Sequence, residues 1–147
     1  MKKFLPVIVL LVLVFGGMYA YDTFTEDTDS VLDVEPGDTS ALIVVTNPSS
    51  GALITSPVAV SGEARGSWYF EGSFPVTVVA ADGTLLGEGI ATAQGEWMSE
   101  KFVPFTGTIT FTAPVGDVKS GTIVFQKDNP SGLPENNNSV SVPIQFQ

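Results

Sequence analysis

The chain has 147 residues, 6 basic and 16 acidic, for a net charge of −10, and it contains neither Cys nor His. Binding a polyanion needs a basic stripe to displace counterions, so nucleic acid is excluded as a partner. With no thiol and no imidazole there is no disulfide framework, no thiolate nucleophile and no imidazole base or metal ligand.

Lys2 and Lys3 precede an uncharged stretch from Phe4 to Tyr21, which Asp22 ends. Two cations followed by an apolar run is the layout of an export signal. A globular helix shows a polar face, and Val7 to Phe15 shows none. Cutting after Ala20 would put Met18 at −3, where signal cleavage wants a small residue. Retained, the stretch approaches the roughly 20 residues that span a ~30 Å hydrocarbon core. Tyr19 and Tyr21 then sit at the interface, and Lys2 and Lys3 stay inside. Residues 1–21 are therefore expected to be a membrane helix, with a cleaved signal peptide as the alternative. Residues 4–21 would contact the membrane. The rest of the chain would lie outside the cytoplasm, extracellular or periplasmic, or be secreted after cleavage.

Residues 22–40 carry Asp22, Glu26, Asp27, Asp29, Asp33, Glu35 and Asp38 without one basic residue. Such a segment repels itself and buries too little apolar surface to offset its ordering entropy, so it reads as an acidic disordered linker. A calcium loop is the sharper alternative, but the D-x-[DN]-x-[DN]-G spacing is missing.

Short strands punctuated by turns fill residues 41–147. Ala41–Thr46 is a β-branched run closed by the turn cluster Asn47-Pro48-Ser49-Ser50-Gly51. Val58, Val60 and Gly62 share one face of the next strand. Val76–Ala81 and Thr84–Leu86 flank Asp82-Gly83, a pair suited to a type I′ hairpin, whose turn needs positive φ. Further strands are expected at Ile90–Ala93, Trp97–Val103, Thr108–Thr112, Thr122–Gln126 and Val140–Phe146. Period-two patterning with one polar face means antiparallel strands burying one side each. The fold class is all-β, a two-sheet antiparallel sandwich, with a barrel as runner-up. Pro143 cannot donate to a ladder, so the last strand is expected at an edge, open to strand addition by a partner.

One segment is distinctive: Gly62-Glu63-Ala64-Arg65-Gly66-Ser67-Trp68-Tyr69-Phe70-Glu71-Gly72-Ser73-Phe74. With Asn47-Pro48, Ser56-Pro57, Asp82-Gly83 and Phe102-Val103-Pro104-Phe105-Thr106-Gly107, it resembles Gmad2, the immunoglobulin-like domain of bacterial spore germination. That pattern is G-x-A, an aromatic pair, F-E, a D-x-G turn and a later F-x-x-x-F-x-G. The resemblance implies an immunoglobulin-like sandwich over most of residues 42–146, with no catalytic residues. Its structural positions are Gly62, Ala64, Trp68, Phe70, Phe74, Asp82, Gly83, Phe102 and Phe105.

Chemistry has few candidates. In a strand, Trp68 and Phe70 would share a face and belong to the core, while Tyr69 would take the other face as an exposed stacking residue. Tyr69, Glu71 and Trp97 therefore form the expected ligand or partner surface. Glu71 as a catalytic acid would need a second carboxylate roughly 5–10 Å away, and nothing in the spacing of Glu63, Asp82, Glu88, Glu96 or Glu100 selects one. No catalytic, cofactor-binding or metal-ligating residue is assigned. The expected function is a tethered, non-catalytic structural or protein-interaction module of the bacterial cell envelope. The alternative is a carbohydrate-binding module, so the partner is an envelope protein or a glycan.

Overall fold

The computed structural model describes residues 41–147; the expected membrane segment and acidic linker lie outside them. Eight strands run in chain order: β1 (Ile43–Asn47), β2 (Ala52–Ile54), β3 (Val58–Arg65), β4 (Ser73–Ala80), β5 (Leu85–Ala93), β6 (Phe102–Ile109), β7 (Ser120–Gln126) and β8 (Ser139–Phe146). Two single-turn 3₁₀ helices, Gly66–Trp68 and Pro134–Asn136, sit in connections.

The all-β expectation holds. The ladder is continuous, in the order β1-β3-β6-β5-β4-β7-β8-β2, rather than split into two hydrogen-bonded sheets. The reason lies in β5, which pairs with β4 from Ser73 to Val79 and with β6 through Ala91–Ala93. Strands β1 and β2 end opposite sides of this order, yet only residues 48–51 separate them in the chain. The sheet must therefore roll up so that its two edges approach.

Rolling turns one face of every strand inward. Val58, Val60 and Ala64 of β3, Phe74, Val76 and Val78 of β4, and Ile123 and Phe125 of β7 alternate with outward residues and join one apolar core. On β8, Val142, Ile144 and Phe146 do the same. Two-residue periodicity is thus the sequence feature that decides which face becomes interior.

Four expectations change. Residues 97–101 are loop, and β6 begins only at Phe102, because the chain must first cross the end of the sheet. The Asp82-Gly83 hairpin exists, but only Gly83 has positive φ, so it is not type I′. Ala80 N–H donates to Thr84 C=O, and Gly83 N–H donates to Ala80 C=O, the bonds of a three-residue loop ending in a left-handed glycine. Trp68 to Phe70 is a 3₁₀ turn and its exit rather than strand, so the face assignment for those aromatics fails.

The fourth change concerns β8, which is interior at its C-terminal end. It pairs antiparallel with β7 along its length and parallel with β2 at Ile144–Phe146. Pro143 is tolerated because its carbonyl accepts the Gly51 N–H at 2.8 Å. A residue's N–H and C=O point to the same side of a strand, so the missing donor faces the β2 side, where that pairing is only beginning. The ends of the strand order are β1 and β2, while Ser139–Val142 of β8 have no strand partner on the β2 side among the described residues, so the edge expectation fails only for Ile144–Phe146.

Candidate functional site

Three connections meet at one end of the domain: residues 66–72 between β3 and β4, 94–101 between β5 and β6, and 127–138 between β7 and β8. Backbone bonds stitch them together and to the sheet. Asp128 N–H donates to Trp68 C=O (3.1 Å), Gly66 N–H to Lys101 C=O (3.3 Å), and Ala93 N–H to Gly72 C=O (2.8 Å). Gly66 is confined between loops, since a Cβ there would run into the carbonyl oxygens of Ser99 and Trp97. Any side chain would push the 94–101 loop away.

All the residues singled out around the aromatic motif occur at this end or just beneath it. Trp68 is buried and meets Phe74 edge-on, with ring centroids 6.3 Å apart; its indole N–H finds no acceptor among the described residues. Phe74 continues to Phe105 at 5.0 Å, and Phe105 to Phe125 at 5.9 Å, making an aromatic spine through the core. The G-x-A spacing makes room for it. A Cβ on Gly62 would sit 2.8 Å from the Phe105 ring, and Ala64 is fully buried opposite Val103.

Tyr69 is not the surface residue expected. It is only 4 % exposed, packs on Phe74 at 5.3 Å, and its hydroxyl donates to the Val103 carbonyl at 2.6 Å. Burial pushes its pKa up from 10.0 to about 12; the Ala64 backbone opposes this and the Glu63 carboxylate adds to it. Phe70 reverses the other way: expected in the core, it is 43 % exposed. The cause is common to both. The 3₁₀ turn ends at Trp68 and sets it less than half a circle from Tyr69, so both reach the interior; Tyr69 itself is extended (φ −87°, ψ 150°), so Phe70 takes the opposite side and is expelled.

Glu71 and Gly72 have φ of 51° and 77°, and Phe70 and Ser73 exchange N–H···O=C bonds of 3.0 and 3.2 Å. This is the type I′ geometry expected at Asp82-Gly83, found eleven positions earlier. Glu71 thus occupies a left-handed turn position in the open. Among the described residues no group of three or more His, Cys, Asp or Glu could hold a metal ion. Trp97 is half-buried, packs against the core cluster, and its indole edge covers Gly72. Phe102 stays on the surface side, where the Arg65 guanidinium stacks on its ring at 4.1 Å and donates to the Glu100 carbonyl at 3.1 Å. The planar aromatic platform that a glycan would need, Tyr69 beside Trp97, is therefore not assembled.

At the opposite end Asp82 accepts the Thr84 N–H at 2.9 Å. That bond, with the Thr84 hydroxyl, holds its carboxyl below the ordinary value, so its role is to set the turn.

The strand order carries the architecture further. Runs β1-β3-β6 and β4-β7-β8 match the A-B-E and C-F-G neighbours of immunoglobulin-like domains. The family model for the immunoglobulin-like domain of bacterial spore germination, Gmad2, matches residues 42–133. The chain belongs to the Gmad2 family. No curated protein matches it. The Gmad2 match stops before β8, whose three core residues nevertheless complete the interior. Within the match, Trp68, Phe74, Phe105 and Phe125 build the spine, and Gly62 and Ala64 clear space for it. Sequence reasoning missed the exposure of Phe70 and Met98; the tell-tale was Gly66 and Gly72 bracketing the aromatics, which signals a turn rather than a strand.

Proposed function

We propose that this Gmad2 chain is an exported, membrane-tethered, non-catalytic interaction module of the bacterial cell envelope. Residues 4–21 hold it in the membrane and residues 22–40 space the domain from the surface. The fold is read as a sandwich in which β1-β3-β6 faces β4-β7-β8 and β5 passes between them. The observation that supports an interaction role is the division of labour in the aromatic motif. Trp68 and Tyr69 are committed to the core, where they brace the loop end, while Phe70 is turned out to solvent. A rigid scaffold presenting loops is how immunoglobulin-like domains bind.

The test is topology in cells. With an epitope after Gln147, external protease should remove the tag from intact spheroplasts, and alkaline extraction should leave the chain in the membrane fraction. A tag protected from protease refutes export. A shortened chain recovered in the medium refutes the tether.

A further inference from the structure

We propose that the loop end of the domain docks a cationic protein segment with an apolar face, an inference that rests on the interaction-module reading. Phe70, Met98 and Leu133 are large apolar side chains, 43, 73 and 50 % exposed, and each comes from a different one of the three loops. They are not loose. The bonds from Asp128 to Trp68 and from Gly66 to Lys101 tie the loops together, and Lys127 N–H donates to Asn138 C=O at 2.8 Å, closing the base of the longest. Inside that loop Asn129 donates to Leu133 C=O at 2.9 Å, holding the residue in place. Exposed apolar side chains on a preorganised backbone bind with little ordering cost, the usual form of an interface anchor.

Charge selects the occupant. The three loops carry Glu71, Glu96, Glu100, Asp128 and Glu135 against Lys101 and Lys127, with Arg65 from the end of β3 reaching in to the Glu100 carbonyl, so that acids still outnumber bases five to three. The Lys127 ammonium is already engaged, donating to the Asn136 carbonyl at 3.1 Å. The apolar tips are thus ringed by surplus negative charge, which attracts Lys and Arg and repels anionic lipid, nucleic acid or the same end of a second copy. At the opposite end Leu85 and Val115 are just as exposed, but Asp82 and Asp117 stand there beside Lys119, a smaller surplus. That end is the internal control.

The full chain, reconstituted in nanodiscs of phosphatidylcholine, is panned against a displayed library of random peptides, and enriched sequences are synthesised. The expected consensus pairs Leu, Phe or Trp with several Lys or Arg. Phe70→Ser with Met98→Ser weakens binding about tenfold or more, whereas Leu85→Ser with Val115→Ser changes it less than about twofold. All four positions are exposed, and matched thermal melts confirm that each variant is folded. No enrichment, an acidic consensus, or equal binding to the Phe70/Met98 variant overturns the proposal. So does quenching of the domain's tryptophans by brominated lipid, which would assign the tips to the bilayer; residues 1–21 contain no Trp, so that signal comes from the domain alone. Panning is run on the full chain in detergent as well as in nanodiscs, so a chain that does not insert is still scored for peptide binding, apart from the cellular topology experiment.

Discussion

Glu71 occupies a backbone conformation that L residues with a Cβ avoid. A left-handed φ costs a non-glycine residue about 1 kcal/mol, and Asn or Gly lowers that cost. Glu71→Asn is expected to stabilise the domain by roughly 0.5–1 kcal/mol, a rise of a few degrees in Tm for a domain of this size. Glu71→Gln, which keeps the strain, should leave Tm unchanged in the same thermal melts; a fall with Asn would mean the carboxylate holds something in place. Tyr69 gives a second residue-scale outcome. Its neutral form is favoured in the fold, so its contribution is present below the ordinary tyrosine value and is lost as pH rises from 10.0 through about 12. Tyrosinate absorbance should show one group titrating late, in step with alkaline unfolding. Tyr69→Phe removes the hydroxyl's bond to the Val103 carbonyl, which keeps its ladder partner Ala64, at a cost of about 1 kcal/mol, and it should abolish the late titration.

Elements are legible in the sequence where one face of a strand is polar. The alternation of Val140, Val142, Ile144 and Phe146 identifies β8, and Val58 and Val60 identify the inner face of β3, because burial in a sheet repeats every second residue. Two features escape for physical reasons. The single turn at Gly66–Trp68 is too short to leave a periodicity, yet with the Glu71-Gly72 turn after it, it decides that Tyr69 is inside and Phe70 outside. The interior position of β8 is hidden because Pro143 reports only that one donor is missing, not which neighbour lies on that side. Its covering strand, β2, is three residues long and has no pattern to read. A chain ending at Asn138 should therefore not fold, although the Gmad2 match ends at Leu133, and Ile144→Ala should cost about 2–4 kcal/mol. Loss of a cooperative urea transition in the truncated chain checks the first claim. A truncated chain that melts normally would return β8 to the edge.

For the whole molecule, neighbours in space are far apart in sequence. Ala52 pairs with Ile144, and β3 pairs with β6 across two intervening strands. Closing such loops precedes any gain from the contacts, so folding is expected in the millisecond-to-second range typical of all-β domains. Stopped-flow tryptophan fluorescence, with buried Trp68 as reporter, should show it. A microsecond phase carrying the full amplitude would contradict this topology. The parallel pairing of β2 with β8 has a mechanical consequence as well. A pull that drags β2 back toward its N-terminal end while drawing β8 out past Phe146 acts along the two strands in opposite directions. The β2–β8 bonds, with those from Gly51 to Pro143 and from Gln147 to Ile54 at either end, then bear the load together in shear instead of unzipping one by one. A domain stretched between its two termini takes the N-terminal pull first on β1 and its pairing with β3; once β1 comes away, it holds until that whole patch ruptures.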